Sequence, residues 1–192
     1  MSIAALLLFI RALGLTLPLS IVAGWSAIEA AIFFLVADIP ISWIAVRSGT
    51  RAALLAALVA AVASVVGALA VWAWASHDPA GAAATMAMLP GIDQALIGEA
   101  ADRYRHGPHA ILAGAFAGIP FKLFALEASK DGSVAFFLLA PLLRLPRFLL
   151  VASFVGGLSH GLSRWQSLRQ RLALLTVLWI TFYAFYFSAM AR

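Results

Sequence analysis

The stretch AGAFAGIPFKLFALEASKDG, residues 113–132, interrupts an apolar run with a proline and two opposite charges. Pro120, Lys122 and Glu127 stand where an ordinary membrane helix would be uniformly apolar. A charge near the bilayer centre costs at least about 2.5–3.5 kcal/mol on insertion scales, so it persists only where it is paired, hydrated or useful. Proline also removes a backbone donor and crowds the preceding turn. The stretch therefore predicts a bend inside a membrane, beside a polar site.

The composition of the 192-residue chain predicts an all-α integral membrane protein. Hydrophobic residues make up 64% and charged residues 11%, and the mean hydropathy is +1.01. Soluble domains contain about 45–50% apolar and about 25% charged residues. We expect a single transmembrane domain, residues 1–192, with about four to five membrane-spanning helices of about 20 residues each. The basic residues are scattered, which argues against nucleic-acid binding, and there is no cysteine for disulfides or thiolate ligands.

Three segments are predicted to span the membrane. Residues 52–75 and 172–191 are uncharged and long enough to cross alone. Residues 148–163 cross together with part of the apolar sequence before them. Residues 1–28 are expected to be a retained segment rather than a cleaved signal peptide, because Arg11 lies within the apolar run and no basic region precedes it.

Two further segments are too interrupted for simple spans. Around Asp38 and Pro40, either residues 30–46 form one kinked helix, or they form a re-entrant hairpin with these two residues at its tip. Residues 110–143 contain short apolar arms on both sides of Pro120 and predict a re-entrant hairpin. Non-helical backbone at membrane depth requires a cover of protein or water, so these breaks indicate a sheltered cavity.

The distribution of arginine predicts the orientation of the chain. Five arginines are expected on the cytoplasmic side: Arg47, Arg51, Arg164, Arg169 and Arg171. Residues 76–109 then face outward, and residues 110–143 must return to the side from which they entered. Within the outward segment, apolar residues recur at spacings of three and four, which predicts one amphipathic interfacial helix over residues 92–106.

The charges inside apolar sequence suggest a binding site. Asp38 and Glu127 are expected to partner Lys122, Arg144 and Arg147, which leaves a net positive charge. Such a site suits an anionic head group, phosphate in particular, because arginine binds phosphate oxygens bidentately and lysine supplies a point charge. The two carboxylates could also carry a proton. The alternative is that these side chains snorkel to the interface from helix ends.

Glu29 and His160 are not predicted to belong to this binding site. Glu29 stands at the end of the first apolar run and is expected at the membrane interface. His160 is either a proton relay or hydrogen-bonded to a neighbouring helix. The chain has no Gly-rich phosphate loop, HExxH or GxSxG motif, so neither an enzyme nor a cofactor is predicted.

One histidine cluster has the spacing of metal ligands. Asp102, His106 and His109 are separated by four and three residues, as three zinc ligands on one helix face would be. Gly107 and Pro108 break the helix between the histidines, so no metal site is predicted.

Residues 37–165 resemble the DedA superfamily, also called the VTT or SNARE-associated membrane protein family, and within it the short YqaA-like branch. The resemblance rests on four segments: the Asp38-Ile39-Pro40 break, SVVGALAVWAWA, RYRHGPHAILAGAFAGIPFKLFALEAS and PLLRLPRFLLVASFVGG. In this chain Lys122 follows Pro120 by two residues, whereas many members place an arginine three residues after the hairpin proline. Asp38 precedes its proline, where the family has a Pro-x-Glu setting.

The resemblance implies a multi-pass protein of the bacterial inner membrane. Two re-entrant hairpins would enter from opposite faces and meet near mid-membrane, with Pro40, Pro120 and Pro146 as hairpin residues. It also implies movement of phospholipids or polyprenyl phosphates between leaflets, in some members coupled to the proton gradient.

Together these features predict a transporter of flippase or scramblase type for an anionic membrane lipid. Lys122, Arg144 and Arg147 would hold the head group, while Asp38 and Glu127 balance or relay charge. The alternative is a non-transporting scaffold or accessory subunit whose buried charges pair with a partner membrane protein. A carrier of small ions or metabolites is a third class, and self-association into a homo-oligomer is compatible with each of them.

Overall fold

The computed structural model describes residues 14–132 and 135–190, and in these ranges the chain is helical with short connections and no strand. This confirms the predicted all-α class. The predictions for residues 1–13, 133–134 and 191–192 lie outside the described residues. The helices in chain order are α1 (Thr16–Ala31), α2 (Asp38–Ser48), α3 (Thr50–His77), α4 (Pro79–Ala87), α5 (Gln94–Arg105), α6 (Pro108–Ala117), α7 (Phe121–Lys130), α8 (Ala135–Leu162) and α9 (Leu168–Met190).

Three of these helices, α3, α8 and α9, are long and apolar enough to cross a membrane. The predicted spans at 52–75 and 172–191 correspond to α3 and α9. The predicted span at 148–163 is the second half of α8, which begins at Ala135. The amphipathic helix predicted at 92–106 corresponds to α5, whose first turn is capped by a hydrogen bond from Leu96 N to Asp93 Oδ1 at 2.7 Å.

Helix α3 is the central element of the fold. At 1.5 Å per residue its 28 residues extend about 42 Å, more than the roughly 30 Å of a hydrocarbon core. Small side chains on its inner face, among them Ala53, Ala56 and Ala60, are fully buried. Because alanine lets helix backbones approach closely, α3 packs directly against α1, α2, α7 and α8.

Helices α1 and α2 form a bent pair beside the first part of α3. Leu19 packs in the same apolar cluster as Ala56, and Ala27 lies against Gly67, so α1 runs in the direction of α3. The chain then turns through residues 32–37, the first bend, and α2 returns to the start of α3. Only Gly49 separates α2 from α3, with a φ of 87° that favours glycine.

This bend differs from both predictions for residues 30–46. A single kinked helix is wrong, because α1 ends at Ala31 and α2 begins at Asp38. Asp38 and Pro40 are also not at the tip but in the first turn of α2. Proline is tolerated there because the first backbone N–H groups of a helix have no intrahelical acceptor.

Helices α6 and α7 form the second bent pair. Gly118 ends α6 in a left-handed conformation with a φ of 90°, and Pro120 precedes α7 in an extended one. We call residues 118–120 the second bend. Pro120 therefore lies at the bend, as predicted, although the returning arm is α7 and ends at Lys130.

The segment from 135 to 143, predicted as part of the second hairpin, instead begins the long helix α8. Pro146, predicted as a hairpin residue, lies inside this helix together with Pro141, so that assignment is wrong. Membrane helices tolerate proline because neighbouring helices and local adjustments satisfy the freed backbone groups.

The two bends face each other across the fold. Trp72 donates a hydrogen bond to Ala128 O at 3.2 Å, which places the end of α7 near the last part of α3. At the other end of α7, Lys122 reaches Phe33 in the first bend. The α1–α2 and α6–α7 pairs therefore approach from opposite ends of α3.

Helix α8 runs antiparallel to α3 and passes both bends. The rings of Phe137 and Trp72 meet at a centroid distance of 5.8 Å, while Gly156 lies against Thr50 at the other end. The middle of α8 is thus held level with the bends, and this arrangement positions its arginines.

Candidate functional site

Five ionisable side chains from four helices meet between the two bends. Glu29, Asp38, Lys122 and Arg144 are all less than 9% exposed, and Arg147 is partly buried. Arg144 and Arg147 lie near the middle of the 28-residue helix α8. Isolated buried charges are costly, so the contacts of each group indicate how the cluster is maintained.

Arg144 pairs with Glu29 on α1. Its Nη2 lies 2.5 Å from Glu29 Oε2, and both side chains are 8% exposed. The guanidinium also lies 4.9 and 5.0 Å from the ring centroids of Phe121 and Phe148, within the range of a cation–π interaction. Its Nη1 atom is buried without a hydrogen-bond partner in the described structure, so this donor remains for a further acceptor.

Arg147 joins three helices. Its Nη2 and Nε atoms lie 2.5 and 3.0 Å from Asp38 Oδ2 on α2, and Nη1 donates to Ala115 O on α6 at 3.0 Å. Asp38 Oδ1 is buried and has no hydrogen-bond partner in the described structure. Both bent pairs are therefore connected to α8 through one guanidinium group.

Lys122 is held differently. Its Nζ donates to Phe33 O in the first bend at 2.6 Å, and the side chain is almost fully buried. Within the described residues its ammonium makes no ion pair within 4.0 Å. A carbonyl oxygen orients an ammonium without neutralising its charge, so Lys122 is the cation of the cluster that lacks a direct counter-ion.

Four of the five groups border a cavity of about 160 Å³, which we call the central cavity. Three cations, Lys122, Arg144 and Arg147, and the acid Glu29 are in its lining. Together with Asp38, the cluster has three positive and two negative groups, a formal net charge of +1. The other lining residues are mostly apolar and aromatic, so the charged groups form one polar part of the cavity wall.

Helix α9 closes one side of the central cavity. Tyr183 and Tyr186 are in the lining, and the Tyr183 hydroxyl accepts a hydrogen bond from Val36 N in the first bend at 3.0 Å. Trp179 donates from Nε1 to Ser42 Oγ at 3.0 Å. These two hydrogen bonds attach α9 to the α1–α2 pair.

Replacing Tyr183 by phenylalanine should increase amide exchange in the first bend by about fivefold. The change leaves the N–H of Val36 without its acceptor, and one hydrogen bond contributes about 1 kcal/mol. Hydrogen exchange followed by mass spectrometry measures the effect. Tyr186→Phe is the matched control, because the Tyr186 hydroxyl makes no hydrogen bond with the described residues; equal exchange in both variants would contradict the assigned contact.

The structure brings together four of the five charged residues predicted for the site: Asp38, Lys122, Arg144 and Arg147. Asp38 pairs with Arg147 as expected. The predicted role of Glu127 in the cluster is wrong, because its carboxylate pairs with Lys130 at 2.6 Å on the same helix. Residues five apart point to different sides of a regular helix, and α7 is regular through both Lys122 and Glu127.

The prediction for Glu29 is also wrong, because this residue belongs to the cluster although it is predicted to lie outside it. The sequence predicts a place at the membrane interface, whereas the side chain is buried against Arg144. The partner lies 115 residues away, so no local spacing could reveal the pair. The sequence signal that remains is an acid at the end of an apolar run.

The remaining polar residues lie outside this cluster. No group of three or more His, Asp or Glu residues within ranges 14–132 and 135–190 could hold a metal ion. His106 Nδ1 contacts Asp102 O at 2.8 Å in the last turn of α5. His160 is exposed near the end of α8.

Comparison with known proteins assigns neither a family nor a function to these residues. No protein-family model, curated protein or solved structure matches the chain.

Proposed function

We propose that the protein is a membrane transporter of flippase or scramblase type, which moves an anionic lipid between leaflets as the resemblance to the DedA/VTT superfamily implies. The observation that supports this most directly is Lys122, a buried cation with no direct counter-ion on the wall of a cavity between two bends. An anionic group in the cavity would neutralise the remaining charge of the cluster. Phosphate has the charge and the acceptor oxygens to do so.

In this proposal the α1–α2 and α6–α7 pairs are re-entrant hairpins. Each pair bends back beside α3 rather than crossing its length, and each bend adjoins the charged cluster. Irregular backbone at membrane depth needs a protein or water cover, which the central cavity and α8 supply. The hairpins thus bring a polar site to mid-membrane while the three long helices span the bilayer.

The polar groups have separate roles. Lys122 and the unpartnered Nη1 of Arg144 contact the phosphate oxygens, and Arg147 supplies a further positive charge at the cavity wall. Glu29 and Asp38 hold the two arginines in place, and Asp38 Oδ1 is the free acceptor at which a proton can bind. The cavity is too small for lipid tails, which remain in the bilayer.

The internal ion pairs do not favour the alternative of a scaffold that uses buried charges to bind another membrane protein. Glu29 and Asp38 each have an arginine partner within the chain, so neither acid needs one from outside. Within the cluster, Lys122 is the group that lacks an opposite charge at hydrogen-bond distance among the described residues.

Lipid movement in proteoliposomes tests the proposal. An anionic phospholipid with a fluorescent head group is reconstituted with the protein, and an impermeant quencher reports the rate at which inner-leaflet label becomes accessible. Lys122→Ala should lower this rate about 10- to 100-fold, because a hydrogen bond to a charged group contributes roughly 1.5–3 kcal/mol. Arg147→Ala should also lower it, and Lys122→Arg should retain more activity than alanine.

Arg105→Ala is the matched control, since it removes a cation from an exposed position on α5 whose side chain is 74% exposed. Its rate should equal that of the unchanged protein. Equal transport by the unchanged protein, Lys122→Ala and Arg147→Ala would show that this site is wrongly assigned. If the inner-leaflet label became accessible to the quencher equally fast in protein-free vesicles, lipid transport by the protein would be refuted.

A further inference from the structure

A second concave surface lies between α1 and α2 and shares no lining residue with the central cavity. We call it the α1–α2 groove. Its volume is about 700 Å³, within the roughly 300–1,000 Å³ of small-molecule sites. The walls include Leu17, Ile21 and Trp25 from α1, and Trp43 and Ile44 from α2. The groove therefore suits an apolar ligand rather than a polar one.

Three large apolar residues in the lining of this groove remain exposed in the described fold, although Ile44 at its base is buried. Leu17 is 71% exposed and Ile21 is 50% exposed, and both lie on one face of α1 at a spacing of four. Trp43 is 41% exposed on the facing side of α2. Two opposed apolar faces with a gap between them can enclose a hydrocarbon chain, whereas a single convex face cannot.

One end of the groove is charged. Arg47 and Ser48, in the last turn of α2, lie in the lining and are exposed. Arg47 makes no hydrogen bond or ion pair with the residues that the structure describes, although its guanidinium carries five donors. An occupant with an apolar body and an anionic end would satisfy both parts of the groove.

The length of the groove suits one leaflet of a bilayer. From Ile39 near the first bend to Arg47 is eight residues of helix, about 12 Å. One leaflet contributes about half of the roughly 30 Å hydrocarbon core. The apolar part of the groove thus has the depth of an acyl chain whose head group lies beside Arg47.

We propose that the α1–α2 groove binds an anionic phospholipid, with an acyl chain between α1 and α2 and the phosphate on Arg47. This site is separate from the transport site and does not depend on the proposed function. A bound lipid fills the space between the arms of the α1–α2 pair and links the pair to the membrane surface.

Fluorescence of Trp43 tests the proposal directly. The full-length protein is reconstituted in phosphatidylcholine that contains a small fraction of lipid with brominated acyl chains, which quench tryptophan on contact. The difference between the unchanged protein and Trp43→Phe isolates the signal of Trp43. Brominated phosphatidylglycerol should quench this signal at about a fivefold lower mole fraction than brominated phosphatidylcholine, the preference expected from one arginine at an anionic lipid.

Arg47→Gln should abolish the difference between the two lipids, and Arg51→Gln should leave it unchanged. Arg51 is an exposed cation of the next helix that does not line the groove, which makes it a matched control. Equal quenching of the unchanged protein by both lipids would show ordinary boundary lipid and overturn the proposal. Absence of quenching by either lipid would also overturn it, because it would show that no acyl chain reaches Trp43. Neither outcome depends on whether Lys122→Ala transports lipid.

Discussion

Replacement of Glu29 by alanine should lower the free energy of unfolding by about 3–5 kcal/mol. The substitution leaves Arg144 buried without its carboxylate, and only 8% of that side chain is exposed. Removing one partner of a buried ion pair costs more than the pair itself contributes, because the remaining charge is desolvated without compensation. Reversible unfolding in mixed micelles, followed by circular dichroism, measures the change.

A double replacement separates loss of the pair from loss of packing. Glu29→Met with Arg144→Met removes both charges and keeps much of the side-chain volume, so it should be considerably more stable than Glu29→Ala. Glu99→Ala is the exposed control, because Glu99 pairs with Arg103 on the surface of α5 and such pairs contribute about 0.3–0.5 kcal/mol. A similar loss of stability in Glu29→Ala and Glu99→Ala would contradict burial of the Glu29–Arg144 pair.

Replacement of Gly67 by alanine should destabilise the protein by about 3 kcal/mol, at the upper end of overpacking effects. A Cβ atom at this position would lie 1.9 Å from the backbone oxygen of Ala27. A backbone carbonyl in a helix cannot rotate away as a side chain can, so α1 must move relative to α3. The unfolding measurement used for Glu29 applies here as well.

Gly24→Ala is the matched control for this prediction. Gly24 lies in α1, and beyond its chain neighbours and the backbone of its own helix no atom lies within 4 Å of the point that a Cβ would occupy. Alanine there should stabilise the helix by up to about 1 kcal/mol. The two glycine-to-alanine changes are therefore expected to have opposite signs. Stabilisation by both would show that α1 and α3 do not approach closely at Gly67.

Local sequence patterns are sufficient for two of the long helices, α3 and α9, and for the amphipathic helix α5. The uncharged runs inside α3 and α9 are longer than a bilayer crossing requires, and the three-and-four spacing of apolar residues identifies α5. Pro120 is also informative, because it follows the left-handed Gly118 and the chain cannot continue as one helix through both. These features depend on neighbouring residues alone.

The partners within the site cannot be predicted in the same way. Glu29 and Arg144 are brought together only when α1 and α8 pack on the same central helix, and Glu127 is directed away by the regular turn of α7. Prolines are ambiguous in the same way. Pro120 lies at a bend, whereas Pro146 lies inside the helix α8, and the residues directly beside each proline do not distinguish the two cases. Tertiary packing decides each case.

The large separation of Glu29 and Arg144 along the chain has a consequence for biosynthesis. At about 5–20 residues per second, a ribosome adds Arg144 roughly 6–23 s after Glu29, because 115 residues separate them. During that interval the nascent α1 carries an acid whose partner Arg144 has not yet been made. The contact between Glu29 and Arg144, which links α1 to α8, can therefore form only after the middle of α8 has been synthesised.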